Sequence, residues 1–140
     1  MTNILLSIKP VYAERIYLQT KRYEYRKSLP KQMLFLDDTR FLLYESAPVK
    51  RVTGWFVPES MHIGRPDKVW ELTKFFSGID EDKYFAYFKG HEIAFAFQIN
   101  PERLYRFKEP YAIDKFGLKK PPQNYAYISD EVLLKALEER

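Results

Sequence analysis

Four charged residues lie within six positions of the sequence, in an order that could support acid–base chemistry or anion binding. They are Lys21, Arg22, Glu24 and Arg26. A carboxylate among three cations stays ionised, and a cation that it does not pair with is free for an anionic ligand. Exposed ion-pair ladders are also common and contribute little to stability, so the same spacing is compatible with a solvated strand.

A further cation, Lys9, directly precedes Pro10, where a helix is predicted to begin. Proline suits the first helical position because its missing N–H costs nothing there. The helix dipole and the unpaired N–H groups at that end prefer an anion, so a lysine does not favour the helix itself. Lys9 and these N–H groups would together suit an anionic ligand such as phosphate. The alternative is a solvated Lys9 without a ligand.

A second polar segment lies near the end of the chain, at Gln123, Asn124 and Tyr125. The two prolines before it predict an extended backbone. Gln123 and Asn124 carry amides that both donate and accept, as pairing with the edge of a nucleobase requires. The alternative is a barrel-closing strand in which Tyr125 and Tyr127 share one half-buried face.

The elements that position these residues can be predicted from hydrophobic periodicity. The apolar run 4–6 predicts a buried strand, and Ala13, Ile16 and Tyr17 define one face of a short helix after Pro10. The period then changes to two, so residues 21–27 form a charged strand. Arg22, Glu24 and Arg26 would share one of its faces, and Tyr23 and Tyr25 the other.

Later segments predict a mixture of strands and helices. Residues 40–45 and 49–57 suggest a hairpin closed by Pro58, with Gly54 marking a bulge or a close backbone approach. In the strand 93–99, the small residues Ala94 and Ala96 predict an element packed closely over one face. The strand 104–107 is predicted to follow a break at Pro101. Helices are predicted at 66–76, where Val69, Leu72 and Phe76 would face inward, at 80–88 and at 129–140.

Charge and aromatic content both favour a polyanionic partner. The net charge is +4, but residues 1–31 hold seven Lys or Arg against two acids, and residues 103–120 hold six against two. This asymmetry predicts a basic face. The chain also has 11 Tyr, 11 Phe and 2 Trp. Tyrosines interleaved with cations suit single-stranded nucleic acid, although a tyrosine-rich barrel core would give the same composition.

Several classes of protein are disfavoured by composition. The sequence has no Cys and two His, so a disulfide framework, a thiol nucleophile, a metal site and a cofactor are not predicted. There is no apolar run of membrane-spanning length and no signal peptide, so the protein is predicted to be cytoplasmic. With 140 residues, it is predicted to form a single domain over 1–140.

Residues 5–27 resemble the opening of the ASCH domain (activating signal cointegrator homology), a branch of the PUA-like superfamily. Family members usually carry a glycine two residues before the lysine, and here Gln19 takes that place, which predicts a differently shaped turn. The element Pro-Pro-Gln-Asn-Tyr is similar to one near the C-terminus of prokaryotic and phage relatives. The resemblance rests on Leu6-Ser7-Ile8-Lys9-Pro10, Tyr12-Ala13, Lys21, Glu24 and Arg26.

The resemblance implies an α+β fold, a PUA-like small mixed β-barrel with inserted and flanking helices. On that basis we expect a nucleic-acid-binding module that holds single-stranded RNA or DNA, or one exposed and modified base, in a basic, Tyr-lined cleft. The expected binding residues are Lys9, Lys21, Glu24, Arg26, Gln123, Asn124 and Tyr125.

The resemblance also implies an enzymatic alternative. Small ASCH relatives include hydrolases that remove the acyl group of N4-acetylcytidine with a lysine, a hydroxyl residue and a glutamate. Lys21 matches the lysine, Glu24 replaces the hydroxyl residue, and Asp80 or Glu81 would supply the acid. Glu24 as general base with Lys21 stabilising an oxyanion is chemically reasonable. A ribonuclease using Lys21 and Glu24, or a regulatory protein-interaction role, are further alternatives.

Overall fold

The computed structural model describes residues 1–139 of the chain and contains six strands and four helices. Short 3₁₀ turns lie at Leu36–Asp38, Lys74–Phe76 and Ile113–Phe116. The predicted α+β class is confirmed; of the predicted C-terminal helix, Arg140 lies outside the described residues. The strands are β1 (Thr2–Ile8), β2 (Tyr23–Arg26), β3 (Thr39–Glu45), β4 (Arg51–Gly64), β5 (Ala94–Tyr111) and β6 (Tyr125–Ile128). The helices are α1 (Pro10–Tyr17), α2 (Pro66–Thr73), α3 (Glu81–Phe88) and α4 (Asp130–Glu138).

All six strands form one mixed sheet in the order β2-β5-β4-β3-β1-β6. The β1–β3 pair is parallel, as a strand–helix–strand crossover requires, and the other pairs are antiparallel. The sheet curls into the half-barrel of the predicted PUA-like fold. Its two edge strands, β2 and β6, are therefore the strands that carry the predicted site residues.

The main core lies between α1 and the sheet. Ala13 and Ile16 of α1 pack onto apolar side chains of β1, β3, β4 and β5, with Phe41, Phe56 and Phe97 at the centre. This is the helical face predicted from the sequence. Burying these rings and aliphatic chains supplies the driving force that holds α1 beside β1 and β2.

Two further clusters cover the rest of the sheet. On the opposite face, Leu133 and Ala136 of α4 pack over Leu5, Leu42 and Ile128. At the β2–β5 end, α2 and α3 pack over Tyr25, Ala94 and Ala96. The prediction that the small residues Ala94 and Ala96 lie beneath a closely packed element is confirmed.

The two long strands differ from the prediction, since prolines expected to end or break them lie within them. β4 continues past Pro58, and β5 runs through Pro101. The pairing register shifts on both sides of Pro58, and the ladder steps from Ile99 to Leu104 around Pro101. Bulges at these points remove the need for the N–H that proline lacks.

Gly54 lies at a bulge, as predicted. Between Val52 and Gly54, β4 shifts register relative to both of its partner strands, β3 and β5. A Cβ atom built on Gly54 would collide with the backbone carbonyl of Tyr105 and with the Tyr17 hydroxyl. The close backbone approach is therefore a packing requirement.

Of the three residues predicted to face inward from the α2 segment, Val69 is buried and the other two are exposed. Val69, Trp70 and Thr73 are buried, whereas Leu72 and Phe76 are exposed. The prediction for Leu72 is wrong because the buried face of α2 is centred on Val69, Trp70 and Thr73. The prediction for Phe76 is wrong because the last turn, Lys74–Phe76, tightens to 3₁₀ geometry and leaves the α-helical face. Among residues 1–139, no helix has the length and apolar character needed to cross a bilayer.

Candidate nucleic-acid interface

The charged residues of the β2 segment are buried. Lys21 is 3% exposed, Glu24 6% and Arg26 8%. The alternative of a solvated ion-pair ladder is therefore wrong for these residues. Charged side chains are almost never this buried unless they are paired, so each must be compensated by a specific partner.

Glu24 and Arg26 compensate each other across two positions of β2. The Arg26 Nε donates to Glu24 Oε2 at 2.9 Å, and Arg26 Nη2 donates to the Ser7 carbonyl at 2.7 Å. The guanidinium lies 5.5 Å from the centre of the Tyr125 ring. Arg26 thus connects one edge strand, β2, to β1 and to the ring of Tyr125 on the other edge strand. It bridges the open side of the half-barrel.

Lys21 occupies a separate cage at the start of the same segment. Its Nζ donates to the Ser77 carbonyl at 2.8 Å and lies 4.7 Å from the Tyr25 ring centre and 5.6 Å from that of Tyr12. Gly78 packs directly against the lysine side chain, where a Cβ would collide with it. The cage therefore fixes the ammonium on a carbonyl and two aromatic faces.

Burial changes the ionisation of Lys21. Desolvation lowers the pKa of Lys21 from 10.5 to about 8, while the Glu24 carboxylate acts in the opposite direction. Arg15 and Arg26 lower the pKa further as like charges. At pH 7 about a tenth of the molecules would then carry a neutral amine at this position. A lysine of this kind can take part in proton transfer.

The C-terminal segment meets the loop that follows β2. The Tyr125 hydroxyl donates to the Ser28 carbonyl at 2.8 Å, and Asn124 Nδ2 donates to Ser28 Oγ at 2.8 Å. Burial raises the pKa of Tyr125, and nearby Arg26 opposes that rise. Tyr125 therefore lies over the Glu24–Arg26 pair as a neutral phenol. Asn124 lies at the exposed end of the same contact.

A groove runs from this contact along the preceding loop. Its volume is about 620 Å³, and it is open to solvent. Gln123 and Asn124 line it together with Tyr125, and two adjacent cations, Lys119 and Lys120, line it further along. The groove offers amides and ammonium groups next to a buried arginine.

Lys9 is exposed at the N-terminal end of α1. Its carbonyl accepts from the N–H groups of Tyr12 and Ala13, so it begins the helix, but its side chain caps nothing. Lys9 is two residues beyond Ser7, whose carbonyl binds Arg26. It therefore lies at the same end of β1 as the buried pair.

The turn before Lys21 has a backbone conformation typical of glycine, although the residue in that position is Gln19. Gln19 has φ 67°, which is the left-handed region that glycine adopts readily. The substitution noted at this position thus does not prevent the left-handed turn. The next residues leave the helix and bring Lys21 into its cage.

Two sets of predicted or suspected residues lie apart from the cluster. Asp80 and Glu81 are exposed at the start of α3, so the buried carboxylate near Lys21 is Glu24. In the basic segment 103–120, Arg103 binds the Asp37 carbonyl and Arg106 approaches Glu14. The cations of that segment are therefore divided, and Lys119 and Lys120 are the ones that line the groove beside Asn124.

Several residues of the cluster could not be found by motif. Ser7, Ser28 and Ser77 accept hydrogen bonds from cluster residues, namely Arg26, Asn124, Tyr125 and Lys21. The Lys27 ammonium lies 4.4 Å from the centre of the Tyr87 ring of α3. Burial raises the pKa of Tyr87, Arg26 lowers it and Glu24 raises it. The sequence carries no local signal for these contacts, because all of them join distant segments.

The arrangement combines an amine of lowered pKa, a buried carboxylate and tyrosine rings near an exposed groove. It can bind an anion, stack a planar ring, or transfer a proton. Within residues 1–139, no group of three or more His, Asp or Glu side chains is arranged to hold a metal ion.

No family model matches the chain. It is 26% identical over 132 residues to a large ribosomal subunit protein uL22 of Ureaplasma parvum, covering 90% of the chain. The chain spans 39% of the length of that relative. It is 29% identical over 133 residues to an ASCH domain-containing ribonuclease of Zymomonas mobilis, covering 91% of the chain and 84% of the relative.

Solved structures show the same fold. The crystal structure of ASCH from Zymomonas mobilis superposes with a TM-score of 0.83 at 24% identity, covering 97% of this chain and 94% of that one. A tyrosine-to-phenylalanine variant of that protein gives 0.84 at 23% identity, covering 99% and 98%. The half-barrel and its helices are thus shared over nearly the whole length of both chains.

Proposed function

We propose that the chain is an ASCH-type protein and that it binds RNA. The proposed ligand is a single-stranded segment, or one exposed and modified base, held between the edge strands β2 and β6. A relative of similar length is named as a ribonuclease, and a longer relative as a ribosomal protein. Both names concern RNA, which supports this choice over DNA.

The observation that carries the proposal is the convergence of the predicted residues from both ends of the chain. Lys21, Glu24 and Arg26 come from the first quarter and Asn124 and Tyr125 from the last. Asn124 and Tyr125 contact Ser28, which follows β2, and the Arg26 guanidinium, paired with Glu24, lies beneath the Tyr125 ring. Lys21 lies in its own cage at the start of the same segment. Burying a charged pair is costly, and such groups often persist where they serve a ligand.

Each group has a role suited to its exposure. Lys9 and the groove lysines Lys119 and Lys120 are exposed and would contact phosphate oxygens. Gln123 and Asn124 would hydrogen-bond a base edge, and Tyr125 would stack on the base. The buried Lys21, Glu24 and Arg26 would form the floor that faces the base and sugar.

Titration of a short single-stranded RNA at two salt concentrations tests this proposal. We expect binding that weakens as salt rises, because phosphate contacts release counterions. Lys9→Ala should weaken binding to all RNA sequences by a similar factor. The slope of log affinity against log salt concentration should fall by about one. Lys135→Ala, an exposed lysine on α4 at the opposite face, is the matched control. Absence of binding at low salt, or equal loss in both variants, would contradict the proposal.

A second candidate is hydrolysis, and the lowered pKa of Lys21 beside a buried carboxylate favours it. Glu24 would accept the proton of the attacking hydroxyl or water, and the Lys21 ammonium would stabilise the developing oxyanion. With RNA the reaction would be a transesterification: the ribose 2′-oxygen attacks the adjacent phosphorus, the bond from phosphorus to the 5′-oxygen of the next nucleotide breaks, and that oxygen takes a proton from water. The products are a 2′,3′-cyclic phosphate and a 5′-hydroxyl. With N4-acetylcytidine the attacking group is water, and the products are cytidine and acetate.

Incubation with unmodified RNA and, separately, with N4-acetylcytidine distinguishes these reactions by product mass. Lys21→Met and Glu24→Gln should each abolish product formation if the lysine and the carboxylate act in catalysis. Product formation that survives in both variants would remove hydrolysis at this site from consideration. Binding without any product would leave the RNA-binding proposal intact.

A further inference from the structure

An aromatic pair is exposed where α2 ends. Phe75 is 86% exposed and Phe76 43%, although both belong to a chain with a well-packed core. Leu72, one turn earlier, is 65% exposed. Large apolar side chains that are exposed next to one another commonly mark a binding surface.

A cationic side chain lies close to each of the two phenyl rings. The Arg22 guanidinium lies 4.2 Å from the centre of the Phe76 ring, and the Lys74 ammonium lies 5.8 Å from that of Phe75. Glu71 pairs with Lys74 at 3.0 Å, whereas the Arg22 Nε donates to the Gln19 carbonyl at 3.3 Å and is paired with no carboxylate among residues 1–139. Cations stacked on exposed rings suit a ligand that is both planar and anionic.

The aromatic pair is attached directly to the cage of Lys21. Three consecutive carbonyls of this segment accept hydrogen bonds from the α1–β2 region, at 2.8, 2.8 and 2.9 Å. The first binds a backbone N–H, the second the Lys21 ammonium and the third a guanidinium. The pairs are Phe76 with Arg22, Ser77 with Lys21, and Gly78 with Arg15.

We propose that Phe75 and Phe76, with Arg22 and Lys74, form a second stacking site, for a nucleotide flanking the one proposed to bind at Asn124 and Tyr125. The inference rests on the proposed RNA binding and extends the ligand to the end of α2, which the Ser77 carbonyl joins to the Lys21 cage. A flanking base would stack on a phenyl ring, and its phosphate would meet Arg22.

The test compares two probes and three substitutions of one residue. The probes are cytidine monophosphate, which fills one position, and an eight-nucleotide single-stranded RNA. Phe75→Ala should weaken binding of the longer RNA by about 5- to 100-fold, the usual effect of losing one stacked base. Binding of the mononucleotide should not change. Phe75→Trp should retain affinity, whereas Phe75→Leu, which keeps apolar surface without a ring, should weaken it as alanine does.

Leu72→Ala is the matched control, because it removes exposed apolar surface from the same helix end without removing a ring. It should leave the affinity for both probes unchanged. Longer RNA that binds the wild type and Phe75→Ala equally would overturn the second site while leaving the cleft proposal standing. Failure of the wild type to bind either probe would overturn both. Self-association of the wild type in sedimentation, abolished by Phe75→Ala, would identify the surface as a protein contact and also overturn the second site.

Discussion

Substitution of the caged lysine by an apolar side chain of similar length gives a quantitative test of its burial. Lys21→Met removes the charge. The free energy needed to desolvate the buried ammonium therefore lowers the stability of the wild type but not that of the variant. The pKa falls from 10.5 to about 8 on folding, so the unfolded chain binds the proton more tightly than the native one. At about 1.4 kcal/mol for each pKa unit, the wild type loses about 3 kcal/mol of stability at pH 7 from this group.

The sign of the pH dependence follows from the same difference. Below about pH 8 the lysine is protonated in both states, and the full cost is present. Between pH 8 and the ordinary lysine pKa the native state has lost its proton and the unfolded state has not, so stability rises with pH. We therefore expect the wild type to gain about 2–3 kcal/mol relative to Lys21→Met between pH 7 and pH 10.

Urea denaturation at each pH measures the difference in unfolding free energy between the wild type and Lys21→Met. Effects of pH that are common to both proteins cancel in this difference. Lys135→Met, at an exposed position on α4, should show a difference that is constant with pH. A constant difference for Lys21→Met as well would mean that the lysine is solvated. The reasoning about the cage would then be refuted.

Two other substitutions test the packing of the site and the sheet. Glu24→Gln leaves the buried Arg26 guanidinium without its counter-ion and should cost about 3–5 kcal/mol in chemical denaturation, whereas Glu14→Gln, in an exposed pair at 3.5 Å, should cost under about 1 kcal/mol. Equal costs would contradict the burial of the pair. Gly54→Ala should lower stability by about 1–3 kcal/mol because the added methyl meets backbone, whereas Gly64→Ala, with no closer contact than 3.8 Å, should be tolerated in a thermal melt. Tolerance at both glycines would contradict the close strand approach.

The local elements could be predicted because their signals are local. Proline at the start of α1 and the serine cap of α4, which accepts from the Val132 N–H, act within one turn of chain. The change of period after Thr20 likewise identified β2. The prediction that Pro58 ends a strand was wrong because a bulge there removes the need for the N–H that proline lacks. A bulge depends on the partner strand, so local sequence does not indicate it.

The site residues could be chosen from the sequence, but their state could not. Alternation along β2 does not tell whether Glu24 and Arg26 face water or the inside of a half-barrel, because that depends on α1 and β1. The lowered pKa of Lys21 depends on Ser77 and Tyr12, which come from other segments. The exposed aromatic pair after α2 was missed for a related reason. A helical pattern continued to Phe76 assumes an α-helical last turn, and the chain there is 3₁₀.

Mapping backbone amide shifts by NMR during titration with an eight-nucleotide single-stranded RNA tests the central claim most directly. We expect the largest changes in three segments that are far apart in sequence, residues 7–9, 23–28 and 123–125. Changes at Phe75 and Phe76 should accompany them. Changes concentrated around Trp55 and Tyr105, or no changes at saturating RNA, would contradict it.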